Sequence, residues 1–161
     1  MDNKYLIADE VIIDARPTAV PYNYRISYKL AQLCLIIELC CRGGCSILKL
    51  HMISVGLSTI DDMKRLKEFV FNNSSNYTVV RFDPAVNHGV KYAIAEGLMF
   101  QQQNGLFRLT KKGKAYVRGI MKDKDILIDE KRYLFDLGEK LTDEKIKALT
   151  SFWRYSDVED K

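Results

Sequence analysis

The chain has 161 residues, 47% of them hydrophobic and 29% charged, which is a balance that forms one compact core and excludes a disordered chain. Its net charge of +4 is weaker than that of a dedicated nucleic-acid-binding protein. The longest apolar run, Leu30–Cys41, is interrupted by Gln32 and Glu38 and is too short to span a membrane, so no membrane association is expected.

Residues 1–23 are predicted to form an extended arm, because Pro17 and Pro21 prevent a continuous helix. Such an arm either lies on a partner or forms an edge strand of the chain's own sheet. The first residues, Met1–Asp14, are acidic and lack a basic segment followed by an apolar run. We therefore expect a cytoplasmic protein.

Three helices are predicted next. Hydrophobic periodicity from Ser27 indicates a helix that ends at Gly43–Gly44. Ser46 is a favoured N-cap for a second helix, and Ser58 or Thr59 is one for a third. This region is expected to form a helical bundle.

A strand and a fourth helix follow. The aromatic and Val content of Tyr77–Phe82 predicts a short strand. Asp83 suits an N-cap, Pro84 suits the first helical position and Gly97 suits the end, which predicts a helix over Pro84–Glu96.

A β-hairpin is predicted from Leu98–Gln103 and Leu106–Leu109, because Asn104–Gly105 suits the positive backbone angles of a tight turn. Thr110 then begins a helix that runs to about Met121. Two more helices follow, one ending near Gly138 and one capped by Thr142.

The fold class is therefore mainly α with a small β-hairpin. The element order is that of a winged helix-turn-helix core with an inserted helix, an extended N-terminal arm and additional C-terminal helices. The corresponding divisions are an arm over 1–23, a winged-helix domain over 24–122 and a C-terminal helical extension over 123–161.

No catalytic motif is present. Gly43–Gly44 lacks the Gly-Lys-Ser/Thr of a phosphate loop, and His51 and His88 lie in no metal or nucleophile signature. Cys41, Cys45 and His51 come nearest to a zinc ligand set, but their spacing fits no zinc knuckle and cysteine is commonly a packing residue. We expect no enzymatic activity, no cofactor, no metal and no small-molecule substrate.

A basic segment, Leu106–Lys124, carries seven cations against one acid. It either contacts DNA phosphates, a sequence-independent interaction, or forms a solvated helix face. The preceding helix offers only Asn87, His88 and Lys91 among apolar residues, which favours packing or protein docking over base reading. The candidate phosphate contacts are Arg108, Lys111, Lys112, Lys114 and Arg118.

Three segments carry a resemblance to a family. They are Tyr24-Arg-Ile-Ser-Tyr-Lys-Leu-Ala-Gln-Leu, then Arg42-Gly-Gly-Cys-Ser-Ile-Leu-Lys-Leu-His51, then Arg81-Phe-Asp-Pro-Ala-Val-Asn with Tyr92-Ala-Ile-Ala-Glu-Gly-Leu. Together they resemble the middle components of bacterial ABC-three-component systems. The resemblance implies an operon-encoded partner of a large SMC-like, Rad50-like ATPase and of an effector, commonly a nuclease, as in Lamassu-type antiphage defence. It implies no catalytic residues.

Polar residues within these apolar segments are candidates for shared structure or for a partner interface. The alternative is that they cap helices and form internal hydrogen bonds, which is the expectation for Asp83. The candidates for the interface are Arg25, Tyr28, Lys29, Gln32, Lys49, His51, Asn87 and Lys91.

The expected function is that of a non-enzymatic accessory subunit, which docks on the ATPase and links it to, or restrains, the effector nuclease in antiphage or anti-plasmid defence. Within such a complex the basic segment is a site for non-specific DNA contact. The alternative is a winged-helix DNA-binding transcriptional regulator that acts as a homodimer.

Overall fold

A computed structural model describes residues 25–72 and 82–159, with side chains described to Ser151. The described part is mainly helical, with one two-stranded antiparallel sheet. The predicted arm over 1–23, and all of the predicted strand except Phe82, lie outside these ranges, and Phe82 itself is not in a strand. The elements are α1 Ile26–Cys40, α2 Ile47–Gly56, α3 Ile60–Asn72, α4 Pro84–Ala95, β1 Met99–Gln101, β2 Phe107–Leu109, α5 Lys111–Lys122, α6 Ile128–Leu137 and α7 Asp143–Glu159, with a 3₁₀ turn at Gly138–Lys140.

Five predicted helix starts are confirmed by their caps, whereas α1 begins at Ile26 without a side-chain cap. In each case a side-chain oxygen accepts a hydrogen bond from a backbone N–H two or three residues further on, which satisfies one of the donors that a helix start leaves unpaired. Since the cap and its helix are adjacent in sequence, this signal is local. The capping residues are Ser46, Thr59, Asp83, Thr110 and Thr142.

The hairpin is confirmed, but its turn differs from the predicted one. Gln101 pairs with Phe107, and the Gln102 N–H donates to the Leu106 carbonyl, so the loop has three residues. Within it only Gly105 has a positive φ, of 83°, while Asn104 does not. A three-residue loop places a single residue in the left-handed region, whereas a two-residue type I′ turn needs two.

The core surrounds α1, whose Leu33, Leu35 and Ile36 are fully buried. Helices α2, α4, α5 and α6 all pack against α1, because its apolar residues occupy every side of the helix and not one stripe. The C-terminal residues Leu137 and Ile146 belong to the same continuous apolar cluster.

A third strand position lies between α1 and α2. The Cys45 N–H donates to the Phe107 carbonyl at 2.9 Å, and the Phe107 N–H donates to the Cys45 carbonyl at 2.8 Å. Cys45 therefore extends the sheet on the β2 side, giving the order Cys45, β2, β1.

Across the described ranges, no helix is both long enough and apolar enough to cross a membrane.

Candidate partner-binding and phosphate-binding surfaces

A buried polar network joins α1, α2 and the start of α4 around Lys29. The Lys29 side chain is 2% exposed, and its ammonium donates to Gln32 Oε1 at 3.1 Å, Ser54 Oγ at 2.9 Å and Asp83 Oδ2 at 3.3 Å. The Ser54 hydroxyl in turn donates to Gln32 Oε1 at 2.6 Å. A lysine ammonium has three protons, and each of them has an acceptor here.

Burial lowers the pKa of the Lys29 ammonium, and the nearby Asp83 carboxylate opposes that change. Asp83 also accepts from the Ala85 N–H at 2.9 Å through its other oxygen, so one carboxylate both caps α4 and balances the buried charge. The start of α4 is therefore tied electrostatically to the middle of the bundle.

His51 forms a second connection between α2 and α4. Its Nδ1 accepts from the Asp83 N–H at 3.2 Å, which places the ring proton on Nε2, and Nε2 donates to Asn87 Oδ1 at 3.2 Å. The Phe82 ring packs edge-on against the imidazole, with centroids 5.1 Å apart. Both ring nitrogens are thus engaged inside the chain.

For part of the candidate interface these contacts fit the alternative, which is internal hydrogen bonding. The side chains of Lys29, Gln32 and His51 are buried and hydrogen-bonded within the chain, so in this conformation they hold helices together. Lys49 is also buried, at 7% exposed, near the cysteines at the end of α1. In sequence, a polar residue in an apolar helix can indicate either internal hydrogen bonding or contact with a partner. The burial of its side chain distinguishes these two roles.

The remaining interface candidates lie nearer the surface. Arg25, Asn87 and Lys91 are exposed and Tyr28 is half-buried, with its hydroxyl donating to Glu130 of α6 at 2.8 Å. One side of α4 faces outward, and we name it the α4 outer face. It consists of Asn87, His88, Lys91, Tyr92 and Ala95.

The five candidate phosphate contacts are all exposed, but they are not equivalent. Lys112 donates from Nζ to the Glu96 carbonyl at 2.7 Å, so it holds the C-terminal end of α4. Arg108 lies on β2, where the neighbouring strand residues Phe107 and Leu109 are buried. Lys111, Lys114 and Arg118 lie on the outer side of α5.

The four cysteines are free thiols. Within the described ranges, no three His, Cys, Asp or Glu side chains converge on a position for a metal ion, and the His51 nitrogens are already engaged. Burial raises the pKa values of the Cys34 and Cys40 thiols to about 12. The Cys45 thiol is hydrogen-bonded to Cys41, which raises the pKa of Cys45 and lowers that of Cys41.

Two members of this site carried no sequence signal. Ser54 resembles any small residue in an apolar helix, and Glu130 lies 102 positions from Tyr28.

No protein-family model, curated protein or solved structure matches this chain.

Proposed function

We propose that the chain is a non-enzymatic accessory subunit with a winged-helix core. In this proposal it docks on an SMC-like ATPase and links it to, or restrains, an effector nuclease in defence against phages or plasmids. The order Cys45, β2, β1 beside an outward-facing α4 is the observation that carries the proposal. The resemblance to the middle components of ABC-three-component systems supplies the identity of the partners.

The way α4 is held supports the winged-helix part of the proposal. In DNA-binding helix-turn-helix domains, the second helix of the motif presents its outer face to the major groove while the first helix crosses the DNA backbone. Here α2 supports α4 through the contact between His51 and Asn87, with α3 inserted between the two helices. The hairpin follows α4 directly, as a wing does.

A protein partner suits the α4 outer face better than DNA bases do. Reading bases takes several donors and acceptors presented together, and the only amide on this face is Asn87, whose oxygen accepts from His51. Tyr92 is 54% exposed at the edge of the face, and tyrosine is enriched in protein interfaces. We therefore infer that α4 contacts the ATPase.

The test is purification of the tagged full chain from its native operon, followed by mass spectrometry and sizing of the complex. The matched pair of variants is Tyr92→Glu on α4 and Phe135→Glu on α6, because both replace an exposed aromatic residue by a carboxylate. We expect Tyr92→Glu to retain at least tenfold less ATPase, and Phe135→Glu to retain the wild-type amount. A lone chain, or equal retention in the two variants, contradicts the proposal.

The alternative is a homodimeric transcriptional regulator, which the exposed basic residues of α5 favour. A regulator binds its own site about 10³-fold or more tightly than unrelated duplex DNA. An accessory subunit shows no such preference. Comparing promoter DNA from the operon with a shuffled duplex of the same composition therefore separates the two functions.

A further inference from the structure

Four cations of α5 lie in one line along the side that faces away from the core. Successive members are three, four and four residues apart, so at about 100° per residue they fall within roughly 80° of one another. At about 1.5 Å per residue, the line is roughly 16 Å long. The buried residues Gly113, Val117 and Ile120 occupy the opposite side. We name this line the α5 stripe, and it consists of Lys111, Lys114, Arg118 and Lys122.

The stripe is open to a large ligand. All four side chains are exposed, and the three ion pairs found in the part of the chain that the structure describes involve none of them. The neighbouring exposed residues Ala115 and Gly119 are small, and apart from the adjacent residues and the helix's own backbone no heavy atom lies within 4 Å of where a Gly119 side chain would begin. Lys112 points to a different side and is engaged with Glu96.

The charges of the stripe repel one another in the isolated chain. Like charges three or four residues apart destabilise a helix, and cations near its N-terminal end oppose the helix dipole. Lys111 and Lys114 lie near that end, and the first turn of α5 contains no acidic residue that compensates. Proteins commonly depart from such local helix preferences at functional sites. Here a bound ligand would supply the negative charge that the helix lacks.

We propose that the α5 stripe binds the phosphate backbone of duplex DNA without reading its sequence. A row of cations along a rigid helix matches a regularly charged polyanion, and phosphate contacts provide affinity without specificity. An anionic membrane is a poorer match, because a membrane-binding helix inserts a continuous apolar face. In α5 the residues Val117 and Ile120 are buried in the core, and the exposed Tyr116 and Met121 lie about 140° apart around the helix. This inference adds a DNA contact to the docking function and does not depend on it.

The test is fluorescence anisotropy of a labelled 30-base-pair duplex of arbitrary sequence titrated with the full chain at several salt concentrations. Four neutralised phosphates give a slope of about −3.6 for log affinity against log salt, so affinity falls about 150-fold between 50 and 200 mM salt. A second unrelated duplex binds within about twofold of the first. Both results are expected for backbone binding.

The stripe variant replaces its four cations by Gln, which keeps helix propensity nearly constant. The control variant replaces four other exposed cations by Gln and changes the net charge equally. We expect the stripe variant to lose at least 20-fold in affinity at 50 mM salt and most of the salt slope, while the control changes less than threefold. The control positions are Lys64, Arg65, Arg132 and Lys147.

Several outcomes overturn the proposal. They are absence of DNA binding by the wild type at 50 mM salt, equal losses in the two variants, or stripe-dependent binding to anionic vesicles but not to DNA. Thermal denaturation checks folding, and removal of the repulsion predicts that the stripe variant melts no lower than the wild type. If the quadruple variant does not fold, the pair Lys114→Gln and Arg118→Gln is used, with Lys64→Gln and Arg65→Gln as its control.

Discussion

Replacing Asp83 by Asn removes the charge opposite the buried Lys29 ammonium and keeps the cap of α4, since Asn caps helices as well as Asp. The Lys29 Nζ lies 3.3 Å from Asp83 Oδ2, with the side chains 2% and 18% exposed. Removing one partner of a fully buried pair costs about 3–5 kcal/mol because the other charge is left uncompensated. Partial exposure of Asp83 and the remaining acceptors reduce the expected loss to about 2 kcal/mol at pH 7.

The loss also depends on pH. Because burial lowers the pKa of Lys29 below 10.5, the unfolded chain binds more protons between the two pKa values, and stability from this group rises with pH in that window. Removing the Asp83 charge lowers the pKa of Lys29 further. In the variant, the free energy of unfolding therefore begins to rise with pH at a lower pH than in the wild type. The difference between wild type and variant is therefore expected to shrink from pH 7 to pH 9.5.

Urea denaturation followed by circular dichroism at both pH values measures this difference. Asp62→Asn is the matched control, because its carboxylate accepts from the exposed Thr59 hydroxyl and faces no buried cation. The control is expected to lose less than about 1 kcal/mol. Adding Lys29→Met to Asp83→Asn should recover part of the loss. Equal losses in Asp83→Asn and Asp62→Asn, or a loss that does not change with pH, would refute the reasoning.

Two further predictions concern packing and titration. In Gly113→Ala the new Cβ would collide with the Leu98 carbonyl oxygen, whereas in Gly119→Ala of the same helix it would meet nothing within 4 Å. In thermal denaturation, the free energy of unfolding should fall by about 2–3 kcal/mol in Gly113→Ala and rise by about 0.5–1 kcal/mol in Gly119→Ala. The reverse order would contradict the close packing of Gly113 on the Leu98 carbonyl. Above pH 9 the native chain keeps the Cys34 and Cys40 protons that the unfolded chain loses, so stability falls with rising pH by about 1.4 kcal/mol per pH unit for each thiol. Cys34→Ala should therefore flatten the fall of stability with pH in urea denaturation, and an unchanged slope would show that this thiol does not contribute.

The sequence by itself determined the starts of the five capped helices and the place of the hairpin. Caps such as Ser46 and Thr110 act within three residues of their own position, and Gly105 allows the turn through its own backbone freedom. Hydrophobic periodicity likewise predicted the helix α1, although its apolar residues surround the helix and do not form a single face.

Only the tertiary structure decided which polar residues are available to partners. Lys29 meets Ser54 and Asp83 across 25 and 54 positions, and no local pattern distinguishes this buried lysine from an exposed one. The bridge from Cys45 to Phe107 and the use of Lys112 as a cap for α4 arise in the same way. Local propensity depends on neighbours in the chain, whereas burial and charge pairing depend on which helices pack together.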